Sequence, residues 1–129
     1  MRIFNFLSTY VKGFQPMGVY ITSIMTSVGG DFVITCGFTP SAAAFLCGST
    51  DSSYNSWSIG WDNMLAHMCL HYTGYNNLSA FSNQVCLSVY KDNTDGMYGQ
   101  VTKILTNGLN LNLALVGAIQ IGIDIIVFP

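Results

Sequence analysis

An all-β fold, an antiparallel β-sandwich of the jelly-roll-like kind, is the fold class that this sequence predicts. Turn-forming residues recur at short intervals along the chain, for example at Gly29-Gly30, Gly37, Gly74 and Asn107-Gly108. The runs between these turns are short and rich in β-branched and aromatic residues, and none keeps the 3.6-residue apolar period of an amphipathic helix. Short strands separated by regular turns are typical of sandwiches and barrels.

The first half of the chain contains several predicted strands. Val19–Val28 and Phe32–Cys36 flank Gly29-Gly30, and this arrangement predicts a β-hairpin. Ala42–Cys47 is apolar throughout, which predicts a central strand that is covered on both faces. Ser56–Trp61 alternates bulky apolar residues with Ser and Gly, which predicts a strand with two different faces.

The second half contains the clearest hairpin. Val101–Thr106 and Leu109–Leu115 flank Asn107-Gly108, a dipeptide that suits the two left-handed positions of a type I′ turn. Further strands are predicted at His67–Tyr72, at Gln84–Tyr90 and at Ile119–Phe128, the last of which closes the sheet.

The chain is poor in charge for its apolar content. Half of its 129 residues are hydrophobic, while 8% are charged, with four Lys or Arg, six Asp and no Glu. A free monomeric domain normally carries about a quarter charged residues, which keep it dispersed in water. The composition therefore predicts a protein that works packed against copies of itself or against a larger assembly.

The distribution of cations argues against a nucleic-acid partner. Arg2, Lys12, Lys91 and Lys103 are scattered along the chain, and the formal net charge is −2. Binding to DNA or RNA depends on cations that cluster on one surface. We therefore expect no nucleic-acid partner.

The apolar tail, residues 109–129, is predicted to form two buried strands instead of a membrane span. Gly117, Gly122 and Asp124 interrupt it, and a central Asp is poorly tolerated in a spanning helix. A buried carboxylate needs a partner, so Asp124 is expected to face solvent, a hydroxyl or a basic group such as Lys103 or Lys12.

The cysteines are predicted to be mostly buried and reduced. They are Cys36, Cys47, Cys69 and Cys86, and the start of the sequence lacks the pattern of a secretory signal. Disulfides formed late, outside a cell, are the alternative.

Residues 1–16 are predicted to form an N-terminal arm ahead of a single sandwich domain at residues 17–129. The arm is aromatic but lacks a partner run, so it is expected to be either the first strand or a device that grips a neighbouring molecule. Its candidate interface residues, which we group with Trp57 and Trp61 of the domain, are Phe4, Phe6, Tyr10 and Phe14.

His67, Cys69 and His71 are the residues best suited to a metal ion. On a strand, alternate residues share a face, so two imidazoles and one thiolate would project together. A fourth ligand is not identifiable, and the alternative is a polar strand face beside a buried cysteine. Residues two apart on a strand rarely reach the geometry of a nucleophile and its base, so we expect neither catalysis nor a cofactor.

Aromatic and amide residues in the middle of the chain suggest a carbohydrate site. Aromatic faces stack on sugar rings and amides bind sugar hydroxyls, but the same residue types also serve protein interfaces. The residues are Tyr54, Trp57, Trp61, Tyr72 and Tyr75, with Asn55, Asn63, Asn76 and Asn77.

Short motifs in the chain resemble small β-sandwich virion proteins of tailed bacteriophages. The elements are Gly37–Pro40 followed by the apolar run Ser41–Leu46, then Ser58–Asp62, and then the hairpin Val101–Leu113. The likeness spans roughly residues 19–128 with the order preserved. It implies a β-sandwich that serves in a tail fibre, with a lectin-like role, or as an accessory shell protein. Leu109 stands where the family motif usually has Phe, and this departure weakens a receptor-binding assignment.

Together, these features predict a structural virion protein of a bacteriophage, and not an enzyme. The expected role is a capsid cement or decoration protein that forms a homo-oligomer, taken as a trimer, and contacts the major capsid protein. It would be assembled in the host cytoplasm and reside in the virion. The alternative is a tail-tip or fibre protein that binds a host surface glycan.

Overall fold

The computed structural model describes residues 18–50 and 55–129, and within them the chain forms ten β-strands. The strands, in chain order, are β1 (Tyr20–Thr26), β2 (Gly30–Thr35), β3 (Ala42–Ser49), β4 (Trp57–Asp62), β5 (His67–Thr73), β6 (Leu78–Ser82), β7 (Leu87–Tyr90), β8 (Gly96–Leu105), β9 (Gly108–Val116) and β10 (Ile121–Phe128).

The strands form two antiparallel sheets, which confirms the predicted antiparallel β-sandwich. The six-stranded sheet has the order β1-β10-β3-β4-β5-β6, and the four-stranded sheet has the order β2-β9-β8-β7. Pairing is nested, because β1 pairs with β10 in one sheet and β2 pairs with β9 in the other. Such wrapping of early strands by late ones is a feature of jelly rolls. Strands β3 to β6 then extend the larger sheet as a meander.

The core between the sheets is almost entirely aliphatic. Phe45 from β3, Leu87 from β7 and Leu111 from β9 are all fully buried. Strand β10 contributes every second residue to this core, namely Ile121, Ile123, Ile125 and Val127. Burial of each such side chain is worth about 1.5–3 kcal/mol. The alternation of β10 therefore fixes which of its faces points inward.

The predicted hairpin between Val19–Val28 and Phe32–Cys36 is wrong, although both segments contain strands. β1 lies in the six-stranded sheet and β2 in the four-stranded sheet, so Gly29-Gly30 carries the chain from one sheet to the other. A Cβ at Gly29 would lie 2.7 Å from the carbonyl oxygen of Leu113, so the crossing passes close against β9. Each strand instead pairs with one of the long apolar strands near the C-terminus.

The predicted hairpin of β8 and β9 is confirmed, but its turn is not of type I′. Leu105 pairs with Gly108, so Thr106 and Asn107 form the turn. Neither Asn107 nor Gly108 adopts a positive φ. A Cβ at Gly108 would lie 2.0 Å from the carbonyl oxygen of Ile34. The glycine is therefore required by the close approach of β2 and not by the turn.

Strand β3 is central, as predicted, but the described residues cover only one of its faces. It lies between β10 and β4, and β10 itself lies inside the sheet instead of closing its edge. The inward side chains of Phe45 and Cys47 are fully buried, whereas the outward Ala44 and Leu46 are half-buried. The four-stranded sheet covers only the inward face of β3, although Ala42 and Gly48 on the outward face are also buried.

Strand β6 forms one edge of the larger sheet and is not predicted from the sequence. Its five residues, LSAFS, carry two serines and no β-branched residue. The segment forms a strand because the backbone groups at the edge of β5 can pair with it, as Leu70 does with Phe81. Pairing with an existing strand outweighs the weak strand preference of this segment.

The predicted arm, residues 1–16, lies outside the described residues, and with it Phe4, Phe6, Tyr10 and Phe14. Across residues 18–50 and 55–129, we find no helix with the length and apolarity that a membrane crossing requires. The apolar tail forms β9 and β10, as predicted.

The inward face of β4 packs directly on β7 and has room only for small residues. A Cβ at Gly60 would lie 1.7 Å from the carbonyl oxygen of Cys86. Two residues away, the Ser58 hydroxyl accepts a hydrogen bond of 3.2 Å from the backbone N–H of Ser88. This close approach of the two backbones directs the bulky residues of β4 outward.

We expect Gly60→Ala to lower the free energy of unfolding by about 3 kcal/mol or more, because backbone atoms of both sheets would have to separate. Gly122→Ala is the matched control, since a Cβ there meets only the Thr50 methyl group at 3.6 Å. Urea denaturation of both variants measures the difference. Equal effects at the two positions would contradict this account of the sheet contact.

Candidate functional site

The outward side of the six-stranded sheet, which we call the apolar face, is the most unusual surface of the molecule. Strand pairing places its side chains in cross-strand rows. The middle row is Ser23, Asp124, Leu46, Ile59, Leu70 and Phe81. The flanking rows are Met25, Gly122, Gly48, Trp57, Tyr72 and Ser79 on one side, and Ile21, Ile126, Ala44, Trp61 and Met68 on the other.

Large side chains on the apolar face are open to solvent. Met25 and Phe81, at opposite edges, are each 67% exposed, and Ile59 near the centre is 52% exposed. Trp57, Met68 and Leu70 also count among the exposed large hydrophobic residues. Single exposed apolar residues are ordinary on proteins, but a contiguous set marks an interaction site.

The corresponding side of the four-stranded sheet, which we call the polar face, carries a row of polar side chains that are suited to contact with water. Asp31 Oδ1 accepts hydrogen bonds from the side-chain amides of Asn112, at 2.8 Å, and Asn110, at 3.1 Å. These bonds lower the pKa of Asp31. Gln100 lies in the same cross-strand row. The contrast within one molecule indicates that the two outward surfaces meet different environments.

Asp124 is the one charged side chain among the outward positions of the described strands in the larger sheet. Its Oδ1 accepts a hydrogen bond of 2.5 Å from the hydroxyl of Ser23, its neighbour on β1. Its Oδ2 is buried without a hydrogen-bond partner among the described residues. Burial raises the pKa of Asp124, and the Ser23 bond partly offsets the rise. The predicted hydroxyl partner is therefore present, but one oxygen remains unsatisfied.

The two tryptophans predicted as interface residues both lie on the apolar face. Trp57 stacks on Tyr72 with ring centroids 5.9 Å apart, and Trp61 packs against Phe128 at 5.5 Å. Trp57 is 38% exposed and Trp61 is half-buried. Ile59 separates them along β4, so they belong to one broad surface and not to a single pocket.

The Asn side chains that suggested a carbohydrate site mostly form hydrogen bonds within turns of the chain. Asn63 Oδ1 accepts backbone hydrogen bonds from Leu65 and Ala66. Asn76 Oδ1 accepts one from the Leu78 N–H, and Asn77 Oδ1 accepts the Tyr72 hydroxyl. Their carbonyl oxygens are thus engaged within the chain. Asn55 and Tyr75 lie within the described residues, and Tyr54 lies outside them.

His67, Cys69 and His71 share the inward face of β5, as predicted, but they have different partners. The ring nitrogen Nδ1 of His67 lies 2.7 Å from Asp62 Oδ2. Asp62 is fully buried and also accepts backbone hydrogen bonds of 2.7 Å from Met64 and Val101. The carboxylate thereby ties β4 to the irregularity in β8 that follows Val101.

The remaining residues of the predicted metal set do not converge on one point. His71 Nδ1 is buried without a described partner, and burial lowers the pKa of that ring. His71 lines an open cavity of about 400 Å³ together with Ser88, Tyr90 and Tyr98. Within residues 18–50 and 55–129, no three His, Cys, Asp or Glu side chains are grouped to hold a metal ion.

All four cysteines are free thiols, and three of them are buried. Burial raises the pKa of Cys69 to about 11 and also raises the pKa values of Cys47 and Cys86. Cys36 is half-buried, and its thiol donates to the Phe38 carbonyl oxygen at 3.2 Å. The burial of three of the four cysteines confirms the prediction that they are mostly buried.

We expect iodoacetamide at pH 8 to modify Cys36 in the native protein. The buried thiols should react slower by a factor of roughly 100 or more, because they are shielded and carry little thiolate. Mass spectrometry of peptides from native and urea-unfolded protein measures the four rates. Native Cys69 reacting as fast as Cys36 would contradict the prediction.

Comparisons with known proteins leave the family open. No family model matches the chain, and a search of curated proteins finds no match. Among solved structures, the chain is similar to ToxT from Vibrio cholerae, with a TM-score of 0.27 and 9% sequence identity. That alignment covers 87% of this chain and 31% of ToxT. A likeness this distant carries no argument about function.

Proposed function

We propose that this protein is a structural subunit that assembles through its apolar face. The observation that carries the proposal is the contrast between the two outward surfaces, one with many large exposed apolar side chains and the other with Asn, Gln and Asp side chains besides the exposed Val33 and Tyr98. In a subunit that is free in water, the side chains of Met25, Ile59 and Phe81 are 52–67% exposed, so this exposed apolar surface does not stabilise the fold. An assembled subunit buries them.

The size of the apolar face fits an interface that depends on repetition. Six strands about 4.8 Å apart, with about six residues each, give a surface on the order of 24 Å by 20 Å. Burial of roughly 500 Å² at about 25 cal/mol per Å² offers on the order of 12 kcal/mol. Association costs about 4–15 kcal/mol, so one contact is marginal. Several such contacts together, in a closed oligomer or a lattice, give a stable assembly.

We further propose that the assembly is a bacteriophage virion and that the protein is a capsid cement or decoration protein. The low charge of the chain and its resemblance to small β-sandwich virion proteins support this role. In this role the partners are other copies, with a trimer as the working assumption, and the major capsid protein. The role requires neither a reaction nor a cofactor.

A tail-tip or fibre protein that binds a host glycan is the second candidate. The observation in its favour is the exposed Trp57 ring stacked on Tyr72, whose hydroxyl is held by Asn77 at 2.7 Å. An aromatic platform with an adjacent amide is suited to a sugar ring. Trp57→Ala would then abolish adsorption to host cells while leaving the fold intact.

We expect Ile59→Asp to weaken self-association at least tenfold, because a charge at the centre of the apolar face loses its water on burial. Val33→Asp is the matched control, since Val33 is a 64% exposed strand residue of the other sheet. Sedimentation velocity over a concentration series measures both variants, and circular dichroism confirms that each is folded. Equal effects, or none at Ile59, would contradict assembly through this face.

The copy number per virion separates the decoration role from the tail-tip role. Quantitative mass spectrometry of purified virions measures the ratio of this protein to the major capsid protein. A decoration protein is present at a fixed ratio to the shell subunit, whereas a tail-tip protein is present in a few copies. Absence from the particle would overturn both roles.

A further inference from the structure

We propose that the segment of residues 1–17 from a neighbouring copy covers the apolar face, and that its Lys12 pairs with Asp124 in the middle row of that face. This inference rests on the proposed self-assembly, because assembly is what brings a neighbour's segment to the face. It adds the identity of the covering element and of the contact that fixes its position.

The first argument is the unsatisfied carboxylate. Asp124 is 6% exposed, and its Oδ2 has no hydrogen-bond partner among the described residues. Its neighbours on the face are Ser23 across β1 and Leu46 across β3, and neither is a cation. A buried carboxylate without a partner costs free energy, so a donor that arrives with the covering element would remove that cost.

The second argument is the composition of residues 1–17. This segment, MRIFNFLSTYVKGFQPM, contains two of the four cations of the chain and none of its six acids. Nearly half of it is large and apolar, which suits a face built from Met, Ile, Leu, Trp and Phe. In an extended segment, Tyr10, Lys12 and Phe14 lie on one side, with the charge between two aromatic rings. The apolar face offers the complementary pattern, a carboxylate surrounded by apolar side chains.

The third argument is the place where the segment joins the sheet. Gly18 lies at the rim of the apolar face, where a Cβ would come within 3.3 Å of the Pro129 ring. The segment leads directly into β1, the edge strand of the sheet. Seventeen extended residues span up to roughly 56–60 Å, more than twice the width of about 24 Å across six strands. Copies that meet at these rims can therefore each lay a segment across a neighbour's face, reciprocally between two copies or in succession around a closed ring such as a trimer.

A charge-swap experiment on the full chain tests the inference. The variants are Lys12→Asp and Asp124→Lys, with Lys103→Asp as the control, because Lys103 lies exposed on β8 of the other sheet. Each of the first two variants alone brings like charges together, so we expect dissociation constants at least tenfold above that of the wild type. An equimolar mixture restores assembly to within a few-fold of the wild type, because every contact between unlike copies joins opposite charges.

The outcomes separate the inference from the proposed function. If the wild type assembles and Lys12→Asp behaves like Lys103→Asp, the inference is overturned while self-assembly stands. If the double variant Lys12→Asp/Asp124→Lys recovers wild-type stability but the mixture does not assemble, each segment folds on its own face and the exchange is overturned. If the wild type remains a monomer at every concentration, the proposed function falls with the inference.

A conservative variant keeps the test decisive if Asp124→Lys does not fold. Asp124→Asn preserves the shape of the side chain and the contact with Ser23. A double-mutant cycle of Asp124→Asn with Lys12→Ala, read by sedimentation, then measures the coupling between the two positions. Non-additive effects support the pair, and fully additive effects overturn it.

Discussion

The structure depends on one constraint, which is that the six-stranded sheet carries apolar side chains on both of its faces while the sandwich covers only one. The inward face meets the four-stranded sheet and forms a largely aliphatic core that includes Phe45, Leu111 and Ile123. The outward face also has large residues, and several of them, such as Ile59 and Phe81, are exposed to solvent. A contiguous set of exposed apolar side chains on the second side marks an interaction surface. The proposed assembly and the proposed role of residues 1–17 both follow from this exposure.

Close packing between the sheets explains why the bulky residues of β4 point outward. Gly60 lies against the backbone carbonyl group of Cys86, just before β7, and the small Ser58 side chain accepts a hydrogen bond from the Ser88 N–H. A one-residue slip of β4 would force Trp57 and Trp61 into this contact, which has no room for them. The inner contact that holds the sandwich together thus places the large apolar side chains of β4 on the outer surface. Asp62, tied to β8 through the Val101 N–H, fixes the same strand at its far end.

Features governed by neighbours in the sequence were predictable, and features governed by distant contacts were not. The β8–β9 hairpin is local, and Asn107-Gly108 indicated its position even though Gly108 serves the approach of Ile34 and not a type I′ turn. The partner of β1 was not predictable, because Tyr20 pairs with Val127 at the far end of the chain. Alternation in β4 and β5 revealed two faces for each strand, yet it could not say which face meets the core. That choice depends on the distance between backbones, which only the folded chain defines.

The candidate site shows the same division. Trp57 and Trp61 were identified as surface residues because large aromatic side chains in a chain with few charges need an explanation. Met25, Leu70 and Phe81 were missed, since each is unremarkable alone and gains meaning only through its place in a cross-strand row. His67 and His71 share a face as the strand period requires, but the Asp62 carboxylate holds His67 in a contact that the sequence did not reveal.

Oxidative footprinting of methionines over a range of protein concentrations tests the central claim most directly. Met25 and Met68 lie on the apolar face, whereas Met64 is 38% exposed in the turn after β4 and serves as the internal control. The account predicts that Met25 and Met68 oxidise readily in dilute protein and become protected as concentration rises, while Met64 does not change. If the oxidation rate of Met25 relative to that of Met64 does not fall at any concentration or in any assembly, the apolar face is not an interface.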